Sequence, residues 1–134
     1  MTEPFRLALT AIQPSQLYIS TVKLAEFRGW WSPPRLATLS PIPVVRLDGT
    51  IVATDGHTRA FAAYRAGFRE VPVTWDPDDL DWQAYRICVE WCHAEGIRTV
   101  MDLVGRVVGP ADYQRLWLDR CRRMQQALAQ SGIS

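Results

Sequence analysis

The chain has little lysine, few cysteines and no long hydrophobic run, and each shortage narrows what it can be. Lys23 is the sole lysine among 15 basic residues, and 14 acidic residues leave a net charge of +1 over 134 residues. Duplex-DNA binders carry a clear excess of positive charge, because phosphate contacts supply most of their non-specific affinity. The near-neutral balance therefore argues against a DNA-binding protein and leaves a DNA-associated accessory role as a minor alternative.

Membrane insertion and secretion are not expected either. No apolar run approaches the roughly 18–20 residues that a bilayer span requires. Residues Met1 to Thr10 include the acidic Glu3 and lack the layout of a signal peptide. The three cysteines cannot all pair within one chain, and their spacing is not that of a disulfide framework. We expect a cytoplasmic protein with no membrane partner.

The composition is that of one globular domain with an uneven charge distribution. Hydrophobic residues make up 48% and charged residues 22%, both ordinary values. The stretch 76–97 is acidic, whereas the residues on either side are net basic. The first half is rich in strand signals and the second half is helical. The sequence predicts an α+β fold with a small mixed sheet, divided into a core at 1–75 and a helical extension at 76–134 that packs on it.

Local signals predict most of the secondary structure. Asp48-Gly49 suits a type I′ hairpin turn, because both residue types tolerate positive φ angles. Gly67 suits the left-handed position that ends a helix. Pro72 has no N–H group, which places its strand near a sheet edge. The predicted elements are a helix at Thr21–Trp30 capped by Ser20, strands at 44–47, 50–54 and 70–75, and helices at 60–66, about 80–95, 99–106 and 110–130, with Gly132 after the last.

The junction between the second hairpin strand and the following helix carries the clearest chemical signal. A helix N-terminus leaves its first N–H groups unpaired and carries partial positive charge, so it attracts phosphate. Gly56 allows close approach to the backbone, and Arg59 adds a permanently charged donor. His57 and Thr58 add further donors, and Asp55 offers a carboxylate to a metal ion or a substrate amine. The pattern predicts either an anion-binding site or a polar turn that only caps a helix.

This junction belongs to a longer pattern. In chain order the pattern comprises P-I-P-V-V at 41–45, T-D-G-H-T-R at 54–59, A-F-A-A-Y-R-A-G at 60–67 and V-P-V at 71–73. It resembles the ParB/sulfiredoxin superfamily over about residues 12–75. The resemblance implies a small mixed sheet with packed helices and a nucleotide-binding site at the glycine turn. The superfamily includes CTP-binding partition proteins, ATP-using sulfiredoxins, nucleases and nucleotide-dependent free serine kinases.

The residues after Gly56 separate these branches. Sulfiredoxins carry a nucleophilic cysteine there and this chain has His57, so sulfinic acid reduction is not expected. Partition proteins carry Glu-Arg-Arg, of which only Arg59 is kept. The turn is most similar to the free serine kinase branch. That resemblance implies that Gly56, His57, Thr58 and Arg59 bind the phosphates of ATP or ADP, and that Asp55 contacts Mg²⁺ or the substrate.

The same branch places an acidic base on the first helix. In that branch an acidic pair usually follows directly after the serine that corresponds to Ser20. This chain has Thr21-Val22 at those two positions. Glu26 lies one helical turn beyond Val22 on the same face and is the candidate replacement. The candidate catalytic residues are therefore Asp55, His57 and Glu26. The leading hypothesis is a kinase acting on a small hydroxyl compound such as free serine; the alternative is a non-catalytic module that responds to CTP or ATP.

Three other features have simpler interpretations. Cys88 and Cys92 share a helix face and could join Cys121 in a zinc site, but their spacing is not that of a zinc-binding pair, so we interpret them as buried thiols. Of the adjacent Trp30 and Trp31, only one can face the core, and the other lines a pocket or an interface. The helical extension covers the sheet, and it could also form a homodimer face or close over a ligand.

Overall fold

The computed structural model describes residues 3–131 and confirms the predicted α+β class with a small mixed sheet. Gly132, predicted to follow the last helix, lies outside the described residues. The strands are β1 (Phe5–Ala8), β2 (Ile19–Ser20), β3 (Ile42–Leu47), β4 (Thr50–Ala53), β5 (Glu70–Trp75) and β6 (Val107–Val108). The helices are α1 (Thr21–Trp30), α2 (His57–Arg65), α3 (Trp82–Ala94), α4 (Pro110–Tyr113) and α5 (Asp119–Ser131).

The main sheet has four strands in the order β1-β5-β3-β4. Its outer pairs, β1 with β5 and β3 with β4, are antiparallel, and the central pair β3 with β5 is parallel. The predicted hairpin is confirmed: Asp48 and Gly49 have φ angles of 52° and 82°, as a type I′ turn requires. β2 and β6 form a separate short parallel pair.

The predicted edge position of Pro72 is wrong, because β5 lies between β1 and β3. Pro72 stands opposite Arg6 in the antiparallel ladder. In that ladder Leu9 N donates to Arg69 O at 2.8 Å. Hydrogen-bonded pairs alternate, so the Arg6–Pro72 pair is one that exchanges no backbone bonds. Pairing with β3 starts only at Val73, and the central strand therefore accommodates the proline.

The first two helices form where the sequence predicts them, with one shift in boundary. α1 has its predicted bounds, and the side chain of Ser20 accepts a hydrogen bond from Lys23 N at 3.3 Å. α2 begins at His57, three residues earlier than predicted, because Gly56 turns the chain directly into the helix. Phe61 of α2 is fully buried, which places this helix at the centre of the hydrophobic core.

The C-terminal helices pack over the same core. Asp81 caps α3 by accepting a hydrogen bond from Ala84 N. A 3₁₀ helix at Val100–Arg106 follows, and then a continuous helix over residues 110–131 in which a π-helical segment, Gln114–Leu118, joins α4 to α5. Side chains link these helices to the first half; for example, Tyr85 Oη donates to Thr54 O at 2.9 Å.

The division of the chain at residue 75 stays a prediction. No helix within residues 3–131 has the length and apolar character needed to cross a bilayer.

Candidate functional site

The start of α2 exposes unpaired backbone donors at a glycine turn. Gly56 is the N-cap residue and has a left-handed conformation, with φ of 76°. The first intrahelical hydrogen bond runs from Ala60 N to Gly56 O at 2.9 Å. The N–H groups of His57, Thr58 and Arg59 precede that bond, and no side chain in the described part of the chain caps them. This end of the helix therefore favours an anion.

The guanidinium of Arg59 lies over Gly56. A Cβ atom on Gly56 would stand 2.6 Å from Arg59 Nη2 and 3.2 Å from its Cζ. Nη2 contacts Pro41 O at a long 3.5 Å. Arg59 Nε is buried and has no hydrogen-bond partner within residues 3–131. A buried charged donor without a partner is costly.

A pocket of about 320 Å³ opens in front of these groups, and we call it the turn pocket. It contains all six residues that the sequence predicts for the site, because α1 packs beside α2 and brings Glu26 to the glycine turn. The turn pocket is lined by Gln16, Lys23, Glu26, Phe27, Trp30 and residues 55–59.

Sequence reasoning missed the contribution of Lys23 and left the role of Trp30 open. Trp31 is buried at 4% exposure and Trp30 is 61% exposed, so of the two adjacent tryptophans one faces the core and the other lines a pocket, as predicted. Lys23, Phe27 and Trp30 recur at helical spacing along α1, which puts them on one face of the helix. That spacing was the signal that would have found them.

The side chain of His57 is turned into the protein. It is 6% exposed, and its Nε2 accepts a hydrogen bond from Ser15 N at 2.9 Å. Burial lowers the pKa of His57 to about 4; nearby Asp55 opposes this shift and Arg59 adds slightly to it. The imidazole is therefore neutral at pH 7 and holds the turn against the segment before β2. Its backbone N–H remains at the open helix end.

Asp55 stands between two pockets. Its carboxylate is exposed and makes no hydrogen bond or ion pair within the described residues. Behind it lies a second pocket of about 360 Å³, which we call the helix pocket. Gln16, Asp55 and His57 line both pockets, so these three residues form a shared wall. The other principal residues of the helix pocket are Thr54, Asp81, Tyr85, Cys88, Trp117 and Met124.

The cysteines do not form a metal site in the described part of the chain. Cys88 and Cys92 are buried, as predicted, and burial raises the pKa of Cys92 to about 12. Between residues 3 and 131, no group of three or more His, Cys, Asp or Glu side chains is placed to hold a metal ion. Magnesium bound with a nucleotide does not need three protein ligands, since one or two carboxylates and the phosphates usually hold it.

Comparison with known proteins shows a similarity of fold and assigns no activity. No family model and no curated protein matches the chain. The fold is similar to the crystal structure of protein Atu1540 from Agrobacterium tumefaciens, with a TM-score of 0.53 and 18% sequence identity over 77% of this chain. The matched region spans 62% of that protein. At this identity the similarity concerns the arrangement of helices and strands and carries no assignment of activity.

Proposed function

We propose that the protein binds ATP or ADP in the turn pocket and transfers a phosphoryl group to a small hydroxyl compound such as free serine. One observation carries the proposal: the buried Arg59 Nε lacks a partner and lies beside an uncapped helix start. Both features stabilise bound phosphate and serve no evident purpose in a turn that only caps a helix.

The other residues of the turn pocket fit the remaining parts of a nucleotide. The N–H groups of His57 and Thr58 hold phosphate oxygens together with Arg59, and Lys23 adds positive charge from α1. The exposed ring of Trp30 is a stacking surface for the base; such stacking contributes about 1–3 kcal/mol per base in nucleic-acid complexes. Asp55 would hold Mg²⁺, which neutralises charge on the phosphates.

The transfer step needs positioning and charge stabilisation more than covalent help. The hydroxyl oxygen of the acceptor forms a bond to the terminal phosphorus as the bridging P–O bond breaks. The shortened nucleotide leaves with the electron pair of that bond, and the hydroxyl proton passes to a carboxylate. With Asp55 assigned to the metal, Glu26 is the carboxylate in the turn pocket that accepts the proton. We place this reaction in the cytoplasm, where the three thiols would stay reduced.

A non-catalytic module that responds to CTP or ATP is the second candidate. The observation favouring it is that α1 carries Thr21-Val22 where the kinase branch has its acidic pair, and both residues are exposed. In this case nucleotide binding would change an interaction and no phosphate would be transferred. A DNA-associated role would belong to this candidate.

Thermal unfolding with ATP, ADP and CTP, with and without Mg²⁺, tests binding. A ligand that binds the folded state raises the melting temperature by mass action. We expect a rise with ATP or ADP that Arg59→Ala removes. The matched control is Arg65→Ala, because Arg65 is exposed at the other end of α2 and outside the turn pocket. No response to any nucleotide would overturn both candidates.

Transfer of labelled phosphate to small hydroxyl compounds, with free serine among them, then separates the two candidates. A kinase gives labelled product that is lost in Asp55→Ala and reduced in Glu26→Gln, with nucleotide binding retained in Glu26→Gln. A module binds nucleotide and gives no labelled product with any acceptor. Preference for CTP without transfer would favour the module.

A further inference from the structure

We infer that the helix pocket binds the acceptor, and that this acceptor is a small alcohol bearing an amine and an apolar body, without a carboxylate group. The inference rests on the proposed function and narrows its substrate class. Its starting point is the shared wall: Gln16, Asp55 and His57 line both the helix pocket and the turn pocket. A hydroxyl group at this wall lies next to the phosphates proposed for the turn pocket.

The interior of the helix pocket suits an apolar group. Trp117 of the C-terminal helix is 6% exposed, and Met124 and Cys88 face the same space. Its volume of about 360 Å³ lies in the range of small-molecule sites. A methionine and an aromatic ring together adapt to ligands of varied shape. The body of the ligand is therefore expected to be aliphatic or aromatic.

The charge of the helix pocket selects an amine. Asp55 and Asp81 line it, and within residues 3–131 no lysine or arginine does. One carboxylate oxygen of Asp81 caps α3 through Ala84 N at 3.1 Å, and the other makes no hydrogen bond in the described chain. Tyr85 lines the same pocket, and burial raises its pKa. An ammonium group near the free carboxylate oxygen of Asp81 gains a charge-assisted hydrogen bond.

The same charges disfavour an amino acid. The carboxylate of a zwitterion would face the carboxylate of Asp81, and no lysine or arginine of the described residues lines the pocket to pair with it. Like charges at short range repel each other. An amino alcohol keeps the amine and the hydroxyl and removes this conflict. The structure thus favours an amino alcohol over serine as the acceptor.

Calorimetric titration of the full chain with three probes tests the inference. The probes are phenylalaninol, which has all three features, phenylalanine, which has a carboxylate in place of the hydroxymethyl group, and 3-phenylpropan-1-ol, which lacks the amine. We expect phenylalaninol to bind at least about tenfold more tightly than either, a difference of about 1.4 kcal/mol. Equal affinity for all three, or no binding of phenylalaninol, overturns the inference.

Two variants locate the binding site. Asp81→Asn removes the charge and keeps the helix cap, since asparagine caps as well as aspartate; we expect phenylalaninol affinity to fall about tenfold. Met124→Trp fills the pocket from a partly exposed position on α5 and should abolish binding. Unchanged phenylalaninol affinity in both folded variants overturns the assignment.

The nucleotide assay distinguishes a failure of the acceptor assignment from a failure of the proposed function. If the chain binds ADP without preference for phenylalaninol, the acceptor class is wrong and the nucleotide site stands. If phenylalaninol binds through Asp81 and no nucleotide raises the melting temperature, the helix pocket stands as an amine site and the proposed function fails. Phosphorylation of phenylalaninol at a higher rate than that of serine supports both the acceptor class and the proposed function.

Discussion

Replacing Gly56 with alanine perturbs the site in two ways whose sizes follow from the structure. Its φ of 76° is a left-handed conformation that costs a residue with a Cβ atom about 1–2 kcal/mol. The new Cβ would also stand 2.6 Å from Arg59 Nη2, so the guanidinium must move away. Loss of a hydrogen bond from a charged group costs about 1.5–3 kcal/mol. We expect a stability loss of about 1–2 kcal/mol and ADP affinity about 10–100-fold weaker.

Gly96 provides a matched control for this substitution. Its φ of 78° is almost the same as that of Gly56, and no heavy atom lies within 4 Å of the position that its Cβ would take. Gly96→Ala therefore imposes the same backbone strain without moving a charged side chain. Both variants should melt about 3–10 °C below the wild type, given the cost above and the chain length. ADP affinity, measured by calorimetry, should fall only in Gly56→Ala.

If Gly56→Ala binds ADP as tightly as Gly96→Ala does, the position of the Arg59 guanidinium over Gly56 is irrelevant to the ligand. The phosphates would then be bound elsewhere, and the account of the turn pocket would be wrong.

Three further predictions concern single residues. Trp30→Ala should weaken ATP binding about 5–100-fold and Trp30→Phe much less, as calorimetry would show, because the ring serves as a stacking surface; equal losses would contradict the stacking role. His57 has a pKa of about 4 in the fold against 6.5 ordinarily, so the unfolded chain takes up the proton first. The free energy of unfolding should fall by up to about 3 kcal/mol as the pH drops from about 6.5 to about 4, and urea titrations of His57→Gln should show a flatter profile over this range. Asp102→Ala removes the carboxylate bonded to Arg98 N and Thr99 N and should cost about 1 kcal/mol without changing ADP affinity; a loss of affinity would show that the cap also supports the site.

Local chemistry was enough to predict the hairpin and most helix ends. Asp48-Gly49 determines its turn through positive φ angles, and Ser20 determines the start of α1 through a bond to the neighbouring backbone. Both depend on residues close in sequence. The central place of β5 could not be read in this way, because strand order depends on which apolar faces meet in the folded protein. Pro72 is tolerated there only because of the register with β1.

The candidate site also has one part that local sequence predicts and another part that depends on how distant elements pack. Asp55 and Arg59 lie within the one contiguous junction that the sequence singled out. The contributions of Lys23 and Trp30 depend on how α1 packs beside α2, and the helix pocket depends on how the C-terminal helix returns to the β4–α2 junction. The burial of the His57 side chain was not foreseen either, since its partner Ser15 is distant in sequence.

Nuclear magnetic resonance of the ¹⁵N-labelled chain tests the central claim most directly, because it observes the backbone N–H groups that are proposed to hold phosphate. Titration with ADP and Mg²⁺ should shift the amide resonances of His57, Thr58 and Arg59 more than those at the start of α3, where Asp81 already caps the helix. The shifts should be lost in Arg59→Ala and kept in Arg65→Ala. Saturable binding of ADP that leaves these three amides unmoved would contradict the account.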